Sequence, residues 1–174
     1  MENRKKVRGL KRKIRKFIRE LDEITKDFPE GFADNVELHL PSKGSDWINS
    51  PNTPFNVQRD CVQALISRTK HLIDRKPKTR QDLRVILMID FHYWYSTKIE
   101  FFSVKDNYVG FTPYTEDEFT RSIALEEDHN LAEKWNLFIP EGLEIKRIKE
   151  EIKDSKIVDD DIFGGEIWFI GEMR

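Results

Sequence analysis

Cysteine is almost missing from this chain of 174 residues: Cys61 stands alone, so no intrachain disulfide can form and no cysteine cluster can hold zinc. Long apolar runs are missing too. Nothing approaches the ~18–20 consecutive apolar residues that span a bilayer as a helix, and the N-terminus carries charge where a secretory signal would be apolar. These absences make an intracellular, cytoplasmic location the expectation. There is no glycine-rich phosphate loop either, because Gly164 and Gly165 are adjacent and the remaining glycines are isolated. No G-x-S-x-G turn is present to raise a serine nucleophile. Without repeats, low-complexity tracts or linkers, a single domain over residues 1–174 is the expected organisation.

Charge and aromatic side chains are abundant instead. Charged residues make up 36 % of the chain, against ~25 % in ordinary globular domains. Twelve Phe, four Trp and four Tyr argue against disorder, since disordered chains lack the aromatic area that offsets ordering entropy. The net charge of −2 conceals an asymmetry: residues 1–20 hold ten Lys/Arg and two Glu, a balance of +8, and the remainder is at −10.

The basic opening, "KKVRGLKRKIRKFIRELDEI" (5–24), has a period. Val7, Leu10, Ile14, Phe17, Leu21, Ile24 and Phe28 recur in steps of three and four, which predicts a helix with one narrow apolar seam, stopped by Pro29 and Gly31. Gly9 weakens its first turns by about 1 kcal/mol. A seam of about three heptads is marginal for a free coiled coil but ample for docking. Residues 1–28 are therefore expected to form a basic amphipathic helix docked on an acidic body.

Further along, "NVELHL" (35–40) alternates as a half-exposed strand, with Glu37 and His39 opposite Val36, Leu38 and Leu40. Thr53 as N-cap and Pro54 at the first helical position open a helix over 54–73 with a broad apolar face. "LRVILMIDFHYW" (83–94) is the strongest strand, "STKIEFFSV" (96–104) pairs with it as a hairpin, and "YVGFT" is a further short strand. Thr115 and Glu118 have the spacing of a capping box. Residues 113–160 read as short helices ("LAEKWNL", "IKRIKEEI") among acidic loops. "GGEIWFIGE" closes the chain with a strand, 166–171, that is apolar on both faces and so belongs inside a sheet. The fold class is α+β: a mainly antiparallel sheet with strands near 35–40, 83–94, 96–104 and 166–171, on which the N-terminal helix and helix 54–73 pack.

The combination of "KVRGLKRKIRKFIREL", "SPNTPFNVQRDCVQALISRTKHLI" and "GEIWFIGE" resembles an uncharacterised bacterial family of unknown function, found mainly in low-GC Gram-positive bacteria. That resemblance spans nearly the whole chain. It implies a bacterial cytoplasmic protein and brings no activity or site residues with it.

In strand geometry Asp90, His92 and Trp94 share one face, and Glu100 on the neighbouring strand, with Lys98, is expected to adjoin them. A histidine between carboxylates can serve as a general base or half a metal site. With no companion nucleophile in view, the group reads better as a salt-bridged hairpin with aromatic cross-strand pairs. His39, His71 and His129 are scattered without ligand spacing. Asp159–Asp161 fail as an EF-hand, since the twelfth position is Ile170 where a bidentate Glu is required. Glu144–Lys146 and Glu151–Lys153 match the E-x-K of a nuclease core, but their surroundings read as helical or irregular. Cys61 sits on an apolar helix face as a core thiol.

Lys11, Arg12 and Arg15 are the candidate anion-binding residues. Basic side chains at 8, 11, 12, 13, 15, 16 and 19 cover every position outside the seam, so they read as a helix solvated all round rather than a focused grip on phosphate, and the acidic remainder repels a polyanion. Phe17 is the only aromatic before Phe28, which argues against membrane insertion. The expected function is accordingly non-catalytic binding of a macromolecule, foremost a protein, in a regulatory or toxin-neutralising role. Nucleic-acid binding through the basic helix stands second and a metal-dependent hydrolase third. No cofactor, metal or membrane partner is expected.

Overall fold

Six strands among the described residues form one sheet, and in its interior strands β-branched and aromatic residues supply both faces. The computed structural model describes residues 2–28, 36–39, 53–90, 97–103, 121–126, 130–152 and 166–172. In chain order these form α1 (Glu2–Ile24), β1 (Val36–His39), α2 (Phe55–Asp74), a 3-10 turn (Lys78–Arg80), β2 (Leu83–Asp90), β3 (Lys98–Ser103), β4 (Arg121–Glu126), α3 (Leu131–Trp135), β5 (Glu144–Ile152) and β6 (Glu166–Gly171). The strands lie in the order β1-β3-β2-β6-β5-β4, and every pairing is antiparallel. The protein is of the α+β class.

The strand periodicity sorts the two faces. Val85, Leu87 and Ile89 of β2, Ile99 and Phe101 of β3, and Trp168 and Ile170 of β6 join the buried seams of the helices in one cluster. Ile86, Met88 and Phe169, at the intervening positions, are buried as well. β6 lies between β2 and β5, so the apolar character on both of its faces marks an interior strand, as expected. Its last residue must be small: a Cβ on Gly171 would come within 2.3 Å of the Val85 carbonyl oxygen. One residue on, a clasp closes the strand end. Lys76 Nζ lies 2.8 and 3.0 Å from the Glu172 carboxylate oxygens and donates to the Leu83 carbonyl at 2.8 Å. Glu172 in turn accepts from the Val85 N–H.

α2 contacts β2 and β6, with Val57, Cys61, Val62, Leu65, Ile66 and Leu72 buried. Pro54, rather than Thr53, stands at its N-cap, and the Pro54 carbonyl accepts from Val57 and Gln58. α1 docks beside α2 through Ile14, Phe17 and Leu21, with Leu10 partly buried. The seam ends sooner than its spacing suggests. α1 stops at Ile24, which is 40 % exposed, and Phe28 reaches the core from the turn beyond, meeting the Phe101 ring edge-on at 5.4 Å. The last turn of α1 holds Asp22 and Glu23 and no basic residue, the wrong sign for the helix dipole, while the Thr25 hydroxyl caps the Leu21 carbonyl.

Among the described residues, charge does not hold α1 down in the sense its composition suggests. The ion pairs to α2 run from acids on the α1 side, Asp22 to Arg68 and Asp27 to Arg75, with His71 at 3.1 Å from the Lys26 carbonyl. From Asp22 through the turn to Asp27 the contacts advance with the chain from Arg68 to Arg75, so the C-terminal end of α1 and the turn beyond it run in the same direction as α2.

Two strands correct the reading of residues 113–160. "IKRIKEEI" belongs to β5 and not to a helix, and residues 121–126 form β4 at the sheet edge. "LAEKW" is the short helix α3, as expected. "YVGFT", the Thr115–Glu118 pair and Asp159–Asp161 lie outside the described residues.

Candidate interaction surface

Register decides how much of the carboxylate group comes together. Met88 faces Lys98 and Ile86 faces Glu100 across the β2–β3 pair. Asp90 therefore lies four residues along β2 from the position opposite Glu100, ~13 Å away at strand rise. The two share a face but not a site. Glu100 instead pairs with Lys98 at 2.6 Å, and both are half-buried. Glu37 on β1 is the residue opposite Glu100. His92 and Trp94 lie outside the described residues. Glu144 and Lys146 do lie on a strand, but their register partners on β6 are Gly171 and Phe169, neither of them acidic. Among the described residues, no group of three His, Cys, Asp or Glu side chains could hold a metal ion. Burial, with the Asp60 carboxylate adding to it, pushes the Cys61 thiol up to about 12.

The candidate anion-binding residues Lys11, Arg12 and Arg15 are exposed on α1, together with Lys13, Lys16 and Arg19. Lys16 pairs with Glu20 at 3.3 Å. Docking hides one side of the helix and so gives this basic set a direction, which spacing alone could not do. No helix among the described residues is long and apolar enough to cross a membrane.

A second surface was not anticipated. Phe55 opens α2 and is 50 % exposed; Phe138, just after α3, is 71 % exposed. The backbone of Phe138 is pinned by a single side chain. Gln63 donates to the Phe138 carbonyl at 2.9 Å and accepts from the Phe138 N–H at 2.8 Å. Trp135, three residues before Phe138 in sequence, lies 4.9 Å from the Phe55 ring and meets Trp168 of β6 edge-on at 4.6 Å. The sequence places Trp135 only within the short helix "LAEKWNL", and it does not single out Phe55, Gln63 or Phe138. The usable signal was "LFI" at 137–139. Leu137 and Ile139 pack against the core, and in an extended segment that turns Phe138 outward. This platform and α1 lie on opposite flanks of α2, since Trp135 stands on β6 and Phe28 on β3, either side of β2.

The described residues define an α+β protein with an antiparallel sheet, helices packed on one of its faces and two separate exposed surfaces. The chain belongs to the family described as "Protein of unknown function (DUF3916)", whose pattern matches residues 18–172. No curated protein and no solved structure matches it. Membership agrees with the expected resemblance to a family without an assigned activity. The match begins inside α1, so Lys11, Arg12 and Arg15 precede it, whereas Phe55, Gln63, Trp135 and Phe138 fall within it.

Proposed function

We propose that this protein is a non-catalytic binding protein of the bacterial cytoplasm whose partner is another protein, in a regulatory or toxin-neutralising role. One observation carries the proposal: an aromatic side chain held out to solvent by a bidentate clamp on its own backbone. Exposed Phe is ordinarily disfavoured, because burying such a side chain elsewhere is worth ~1.5–3 kcal/mol. Two hydrogen bonds of ~0.5–1.5 kcal/mol each hold Phe138 where it cannot collapse onto the core. Phe55, packed on Trp135, is the second exposed aromatic of this platform, and such side chains dominate protein interfaces. A membrane role is not favoured, since the apolar seam of α1 is spent on docking.

Affinity capture from native lysate tests this, with wild type run beside Phe55→Ser and Phe138→Ser. The expectation is a protein recovered by wild type, lost by both variants and bound again when purified, with little dependence on salt. If both variants retain every protein that wild type recovers, the platform is not the binding surface.

A further inference from the structure

We infer that the outward face of α1 is a second binding surface, one that takes the phosphate backbone of a nucleic acid along a line of arginines. Arg12, Arg15 and Arg19 stand at i, i+3 and i+7, about half a turn round the helix from Ile14, Phe17 and Leu21. The same steps of three and four run back in the sequence through Arg8 and Arg4. Lysines fall to either side of this line, at 11, 13 and 16. All three arginines, with Lys11 and Lys13, are exposed and make no ion pair or side-chain hydrogen bond among the described residues. The nearby acids among the described residues do not quench them. Asp22 is engaged by Arg68, Asp27 by Arg75 and Glu20 by Lys16; Glu23 marks the C-terminal end of the line.

Three properties favour phosphate over an acidic protein. Guanidinium groups present a planar fork that matches phosphate oxygens two at a time, and the line is arginine where the flanks are lysine. Arg12 to Arg19 covers ~10 Å of helix axis, and long arginine side chains reach further than their backbone spacing, so three guanidinium groups can each meet a phosphate. A regular cationic line suits a regular polyanion, whereas carboxylates on a protein surface have no such repeat. Docking through the seam holds the line on a folded body, so binding does not first have to order it.

The surface lies on the other flank of α2 from Phe138, so its test is separate from that of the proposed protein partner. Fluorescence anisotropy of the full chain is measured with a DNA duplex of about 20 base pairs and a single-stranded RNA of equal length, at about 50 and 200 mM salt. Three arginine–phosphate contacts predict that affinity falls about 40-fold over that range for the duplex and about 20-fold for the single strand. Which probe binds tighter identifies the source of the phosphates. Arg12→Glu/Arg15→Glu/Arg19→Glu is expected to lose binding with an unchanged melting temperature, while the triple Lys variant binds more weakly with the same salt slope and Phe138→Ser binds as wild type. Should charge reversal disturb folding, the triple Gln variant replaces it in the same comparison. The inference is overturned by no binding at the lower salt, by polyglutamate or anionic vesicles binding as tightly as nucleic acid, or by a folded triple variant that binds like wild type.

Discussion

Removing the Glu172 carboxylate should unfasten the end of β6. In wild type, the Lys76 ammonium has only 5 % of its side chain exposed and Glu172 has 18 %. Glu172→Gln removes the negative charge and turns one acceptor into a donor facing that ammonium, leaving Lys76 a neutral amide oxygen beside the Leu83 carbonyl. Breaking a buried ion pair from one side costs ~3–5 kcal/mol, and the partial exposure of Glu172 places this pair at the lower end, about 3 kcal/mol. Lys76→Met should cost about as much, because Glu172 would then keep only the Val85 N–H. The double variant leaves no orphaned charge, so its loss should fall short of the two single losses combined by about 2 kcal/mol. Urea unfolding followed by circular dichroism reads all four corners of this cycle. With an m value of ~1–3 kcal/mol/M, each single variant should shift the midpoint down by about 1–3 M. Losses below about 1 kcal/mol, the range of exposed pairs, would refute the reasoning. The strand end would then be held by ladder hydrogen bonds and by the packing around Gly171.

Other expectations follow from the same geometry. Phe17→Ala and Ile14→Ala should destabilise by ~3–5 and ~2–5 kcal/mol in chemical denaturation, while reversing Arg12 and Arg15 should stay within about 0.5 kcal/mol; equal effects would mean that α1 is not docked. Deleting residues 166–174 removes an interior strand, so the product should show no cooperative melt, and a soluble, cooperatively melting truncation would contradict the placement of β6. Cys61 has its thiol raised from 9.0 to about 12 in the folded protein. Its contribution to stability is thus complete below pH 9 and is lost as pH rises from 9.0 towards 12. Thiolate absorbance of the native protein at about pH 10 should accordingly be absent, and should appear when urea unfolds it.

The elements with strong periodicity were legible because packing and pattern agree. The α1 seam, the interior strands β2 and β6 and the broad face of α2 each present apolar residues where the core needs them. β5 failed for a physical reason. Ile145, Ile148 and Ile152 fall at helical steps of three and four, yet register puts Ile145 opposite Ile170 and Ile148 opposite Ile167, on opposite faces of a strand. Charged residues fill the rest, so only the partner strands reveal the element; tertiary pairing outweighs local pattern. The early stop of α1 was equally hidden, because Phe28 continues the seam in sequence but reaches the core from a turn. At the surface, spacing identified the basic set of α1, but its direction depended on knowing which side docks. The Phe138 platform depends on Gln63, 75 residues away in sequence, and no local signal links the two.

Site-specific photocrosslinking in living cells tests the central claim, that this protein meets a partner protein at the aromatic platform. A benzophenone amino acid replaces Phe138, and in a parallel strain the exposed Glu141 nearby. Discrete protein adducts from position 138, absent from position 141, are the predicted result. Identical patterns at the two positions, or no adduct at 138, would contradict it.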